Sequence, residues 1–150
     1  MWQVVPMSSE ANRSLVLAYY LRVVGDGHLG EISDYIGSTY VDHNAPPGSL
    51  LGPALVELHL RAIRETFPDF VLNTHELVAD DDWVALRVTG EGTHLGEWLG
   101  IKPTGKRIKL RGINLDRVQA GRIVEHWGEA DTIGMLMQMG LDPFKQVAAV

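Results

Sequence analysis

A change of apolar period near residue 70 constrains this chain more than any other feature. Before it, apolar residues recur at helical spacing: Leu15, Val16, Tyr19, Tyr20, Val23 and Val24, then Leu55, Leu58, Ala62 and Ile63. After it they alternate. Between Trp83 and Thr93, Val84, Leu86 and Val88 face one way, and Ala85, Arg87 and Thr89 the other. Helices gathered at one end of a chain and strands at the other do not build alternating βαβ units. They predict an α+β fold. N-terminal helices would pack into a strongly curved, mostly antiparallel sheet, leaving a pocket between the two layers.

Local signals set the element boundaries. Ser8 or Ser9 can cap the first helix, and Gly25-Asp-Gly27 stops it. A short second helix puts Leu29, Ile32 and Ile36 on one face. The stretch Tyr40-Val-Asp-His-Asn-Ala-Pro-Pro-Gly48 reads as a loop. Pro53 suits the first turn of a third helix, which ends by Phe67-Pro-Asp69. Strands are predicted over residues 70–79, 83–93, 107–118 and 122–127, with Asp80-Asp-Asp82 and Gln119-Ala-Gly121 as turns. In the third strand the apolar positions pass from Ile108 and Leu110 to Ile113 and Leu115 around Gly112, which predicts a bulge or bend. A short last helix covers 132–139. Tyr19 and Tyr20 are adjacent on the first helix, so only one of them is expected to face the core.

At 150 residues, one domain spanning 1–150 is expected, with 1–8 a flexible N-terminus and 143–150 a tail. Translation could start at Met1 or Met7. The formal charge of -6 argues against nucleic acid or an anionic membrane as the main partner. Without cysteine there is no disulfide, thiolate metal site or cysteine nucleophile. No apolar run approaches the roughly 20 residues of a membrane span, and the first residues do not form a signal peptide, so a cytoplasmic protein is expected. The histidines show no H-x-x-x-H or H-E-x-x-H spacing, so no metal is expected. There is no glycine-rich phosphate loop and no G-x-S-x-G elbow.

Chemistry concentrates in Arg122-Ile-Val-Glu-His-Trp-Gly-Glu-Ala-Asp131. Asp131, at a strand end beside an apolar helix, is the candidate general base, because burial would raise its pKa. Its competing role is to cap that helix. His43 could donate to a substrate carbonyl, or simply organise the Pro46-Pro47 loop. Asn114 and Asp116 share one strand face, and Asn114 could bond substrate if that face is concave. His94, Trp98, Arg111, Trp127 and Tyr19 are candidate pocket residues: a turn histidine, a flap, a carboxylate partner, a wall and a phenol donor. Each has a plain packing or surface alternative.

The ordered set Tyr40-Val-Asp-His-Asn44, Pro47-Gly48, Phe67-Pro-Asp69, Gly92-Thr-His-Leu-Gly96, Gly100-Ile-Lys-Pro-Thr-Gly105, Gly121-Arg-Ile-Val-Glu-His-Trp127 and Asp131 resembles the SnoaL-like polyketide cyclases, within the nuclear-transport-factor-2-like superfamily. The resemblance covers about residues 10 to 142. It implies a cone-shaped α+β barrel and ring closure of a small hydrophobic, polyketide-like ester by intramolecular aldol condensation, without metal or cofactor. It also implies a catalytic aspartate matching Asp131, and a homodimer. Epoxide opening on the same scaffold and non-catalytic binding of a hydrophobic ligand are the alternatives, because a fold does not fix a function.

Overall fold

The computed structural model describes residues 8–145. The expected flexible N-terminus up to residue 7, the choice between Met1 and Met7, and the last five residues of the expected tail lie outside that range. The alternating half of the chain forms β2 (Val71–Asp80), β3 (Trp83–Thr93), β4 (Arg107–Gln119) and β5 (Arg122–Ala130), paired antiparallel in sequence order. A fifth strand, β1 (Ile36–Asp42), lies parallel to β5 and completes the order β1-β5-β4-β3-β2. Sequence signals alone place its first residue in a helix and its last three in a loop. Gly37, Ser38 and Thr39 blur its alternation, and only Ile36, Tyr40 and Asp42 are buried.

The helical half packs against the inner face of this sheet. The first helix, α1 (Ser9–Ala18), is capped by Ser8, whose Oγ accepts from the Ala11 N–H at 3.2 Å. It continues as a π-helical stretch, Tyr19–Gly25. That wider turn changes an expectation: Tyr19 and Tyr20 are both buried, with ring centroids 5.1 Å apart. An i→i+5 turn brings neighbouring positions closer in direction than an α-turn does. A short 3₁₀ turn at Leu29–Glu31 leads into α2 (Ile32–Tyr35). The long helix α3 (Pro53–Thr66) and the short α4 (Thr132–Gln138) follow the predicted positions. None of the described helices is long and apolar enough to cross a membrane.

The main core joins Val16, Tyr20 and Val23 to Ile36, Leu86 and Ile123. A second cluster sits under α4, where Ile108, Met135 and Met139 pack with Phe67 and Trp98. The predicted bulge at Gly112 is absent. Pairing of β3 with β4 runs unbroken from Trp83↔Arg117 to Thr93↔Arg107, and the irregularity falls instead in the β4–β5 pairing, where Val124 of β5 is the extra residue between Arg117↔Glu125 and Val118↔Ile123. The apolar pattern changes phase because Ile113 and Leu115, which are 57% and 37% exposed, belong to the outer face. There they join Trp83 and Trp127, while Ile108, Asn114, Asp116 and Val118 point inward.

This register predicts unequal costs for two truncations. Leu86→Ala should lose about 2–5 kcal/mol in denaturant unfolding, and Ile113→Ala less than about 1 kcal/mol. Equal losses would contradict the assigned faces.

Candidate functional site

The inner face of the sheet, the π-helical stretch and α3 enclose a cavity of about 470 Å³, within the usual size of small-molecule sites. Its walls are mainly apolar, including Leu60, Ile63, Phe70, Val88 and Leu110. Asp42, Asn44, Asn114 and His126 bring polar atoms to it, and none of the lining residues is Arg or Lys.

Strand pairing assembles the polar group. His126 on β5 is the Cα partner of Asp42 on β1 and of Asp116 on β4, so the three stand side by side across the sheet, facing inward. Asp116 is 1% exposed. One of its oxygens lies 2.7 Å from His126 Nδ1, and the other accepts from the Tyr20 hydroxyl at 2.9 Å. A carboxylate only accepts, so the imidazole carries a proton on Nδ1. In the neutral ring, Nε2 is then the lone-pair nitrogen. It has no hydrogen-bond partner among the described residues, and His126 lines the cavity. The arrangement has the logic of a base oriented by a buried carboxylate.

Electrostatics strengthen this base. Burial disfavours the His126 imidazolium, but the hydrogen bond and charge of Asp116 outweigh it, with Asp42 adding to them, and the pKa is raised above 6.5. Tyr20 is held neutral: burial, then the charge of Asp116, push its pKa well above the ordinary tyrosine value. Asp42 also accepts from the Asn44 N–H at 2.8 Å, and its second oxygen lies 3.6 Å from His59 Nδ1.

Of the residues singled out from sequence, Asn114, Tyr19 and Trp98 line the cavity. Trp98 sits in the segment between β3 and β4, bridged to Ile101. Five others are placed elsewhere. Asp131 is neither buried nor raised in pKa. It caps α4 through a 2.9 Å bond from the Gly134 N–H and pairs with Arg111 at 2.7 Å, and the Arg111 bond, then the Gly134 N–H, lower its pKa. Arg111 faces outward with it. His43 is exposed, stacked on Trp127 with centroids 4.1 Å and planes 6° apart, and bonded to Glu125 at 3.1 Å. Strand alternation explains both residues: Asp42 and His126 point in, so their neighbours His43 and Trp127 point out. His94 is wholly buried, neither a surface turn nor a cavity residue. Its Nδ1 accepts from the Thr104 N–H at 3.3 Å and ties together the segment that carries Trp98.

Sequence alone gives His126 no role, reads Asp42 and Asn44 as turn formers, leaves Tyr20 as the alternative to Tyr19, and offers Asp116 as the face-mate of Asn114 or as a second carboxylate for epoxide opening. The parity of β5 held the missing signal. With Ile123 in the core, a one-residue irregularity against β4 turns His126 inward, and only the paired structure reveals that irregularity.

The SnoaL-like polyketide cyclase model matches residues 14–139. Aklanonic acid methyl ester cyclase AcmA of Streptomyces galilaeus is 30% identical over 136 residues, covering 87% of this chain and 88% of that protein. Nogalonic acid methyl ester cyclase of Streptomyces nogalater is 27% identical, covering 79% and 89%. The crystal structure of IdmH from Streptomyces antibioticus superposes with a TM-score of 0.74 at 30% identity, covering 87% and 99%. The chain belongs to the SnoaL-like polyketide cyclase family.

The Asp116–His126 bond has a consequence for titration. NMR should place the pKa of His126 above 6.5 in the wild type, and Asp116→Asn should lower it. The sign for stability follows from the raised folded-state value. The contribution is fully present below the unfolded-state pKa and is lost as pH rises through the folded one. Asp131→Ala should lower the thermal midpoint by only a few degrees, the effect of a lost cap.

Proposed function

We propose that the chain is a cofactor-free polyketide cyclase-type enzyme, closing a ring by intramolecular aldol condensation with His126 as the proton carrier. The observation that carries this reading is an imidazole bonded to buried Asp116 through Nδ1, with Nε2 open to an apolar cavity. Neutral Nε2 takes a proton from a carbon flanked by carbonyls. The enolate carbon attacks a ketone carbon of the same molecule, forming the C–C bond. The new alkoxide takes the proton back from Nε2. Asp116 stabilises the transient imidazolium, and the Tyr20 hydroxyl holds Asp116 in place. The cavity keeps the reacting carbons of a flexible chain together, which supplies much of the rate.

This reading moves the base from Asp131 to His126. A carboxylate paired with arginine at the surface is a weaker base than an ordinary one, the opposite of what proton abstraction needs. Epoxide opening ranks second. Its usual arginine beside a carboxylate has no counterpart among the cavity-lining residues.

Relatives named as methyl ester cyclases of aklanonic and nogalonic acids suggest those esters as first substrates. His126→Gln should slow both ring closure and solvent-deuterium exchange at the acidic carbon by about 10²–10⁴-fold. Asp131→Asn should retain most of each. The reverse pattern would restore Asp131 as the base.

The expected homodimer belongs to the same proposal, with the exposed outer-face residues Trp83, Ile113 and Leu115 as its contact. Sedimentation should give a dimer that Ile113→Glu dissociates. A wild-type monomer at micromolar concentration would refute it.

A further inference from the structure

Three hydrogen-bonding groups converge on one backbone position, Gly128, where no side chain intervenes. The Gly128 N–H donates to Asn44 Oδ1 at 2.7 Å. That bond fixes which way the Asn44 amide is turned, and leaves its Nδ2 donor without an acceptor among the described residues. Asn114 is the Cα partner of Gly128 on β4, and its amide makes no hydrogen bond among the described residues. Asn44, Asn114, Gly128 and His126 all line the cavity. A Cβ at residue 128 would lie 2.9 Å from His126 Nε2 and 3.0 Å from Asn114 Oδ1. Any side chain there would crowd both groups, so glycine keeps the approach to Nε2 open.

We infer that Asn44 and Asn114 form a two-point seat for the paired oxygens of an enolised 1,3-dicarbonyl, presented beside His126 across the gap left by Gly128. The inference rests on the proton-carrier reading of His126 and deepens it by naming the side chains that receive the two carbonyl oxygens. Removing a proton from a carbon between two carbonyls spreads negative charge over two oxygens. Two primary amides, each with a spare N–H, match that pair. Apart from the His126 imidazolium formed in the same step, no cavity-lining Arg or Lys is there to balance the charge. Neutral amide donors then share in stabilising it: the Asn44 amide is already oriented by the Gly128 N–H, while the Asn114 amide, held by no hydrogen bond among the described residues, is free to turn its Nδ2 to the second oxygen. A ketone with a single oxygen would leave one donor unmet, which disfavours it.

The probe is a naphthyl 1,3-diketone that cannot cyclise and whose enolate absorbs at longer wavelength than its enol. Bound to the wild type, its acid dissociation constant should rise about tenfold over the free value. The matching naphthyl monoketone should bind about tenfold more weakly. Asn114→Leu removes an amide that makes no bond to the protein. Asn44→Asp keeps the acceptor for the Gly128 N–H but replaces the spare donor with an oxygen and adds a negative charge, so the neutral Asn114→Leu is the decisive variant. Each should return the bound diketone towards its free ionisation, with the thermal midpoint close to wild type. An unchanged spectrum in Asn114→Leu would overturn the seat, as would a wild type that leaves the diketone unbound or un-ionised. The His126 reading is tested apart from this by carbon-bound deuterium exchange. His126→Gln can lose exchange while the amides still shift the probe, and the two Asn variants can leave the spectrum unchanged while His126→Gln is inactive.

Discussion

The bond from Asp116 to His126 is the interaction on which the rest of the site depends. Asp116 is sealed in the sheet, and its two oxygens are satisfied by groups from different elements, the Tyr20 hydroxyl and the His126 ring. Leaving a buried acceptor unpaired costs about 1–3 kcal/mol, and more when it is charged. The carboxylate therefore ties the π-helical stretch to β4 and β5 and fixes the imidazole tautomer at the same time. The group that holds the helix to the sheet is the group that aims Nε2 at the cavity.

Charge placement divides the protein into two faces. Inside, Asp42 and Asp116 flank one histidine in an apolar setting and raise its pKa. Outside, carboxylates meet arginines in water: Arg111 and Asp131, Arg87 and Glu76. Surface pairs of this kind contribute little to stability. They do hold the pKa values of Asp131 and Glu76 down, which suits them to structural roles rather than to proton abstraction.

Much of the fold was legible in the sequence because the strong periods were unambiguous. β3 and α3 follow from alternation, or from spacing with Pro53 at the helix start, and the turns before Trp83 and Arg122 follow from their residues. β1 was not legible, since Gly37, Ser38 and Thr39 give no apolar alternation and its partner lies some eighty residues away. Tyr19 and Tyr20 both turn inward, against the spacing of an α-helix, because a π-turn leaves no simple mark in an apolar pattern. The site was less legible than the fold. Asn114, Tyr19 and Trp98 lie where a pocket reading puts them, but Asp131, His43, Arg111 and Trp127 lie on the outer face. Parity along β5 and the loop after β1 decides which side chains enter the cavity. That parity depends on the irregular pairing of β5 with β4, a long-range fact.

The central claim is that His126, oriented by Asp116, carries the proton. The most direct test sets the pH dependence of kcat/KM for ring closure beside the NMR titration of His126 in the same protein. The account predicts that activity rises with pH as the imidazole loses its proton, with one pKa above 6.5 common to both curves, and that Asp116→Asn lowers the two together. An activity profile governed by a group in the carboxylate range, unmoved by Asp116→Asn, would contradict it.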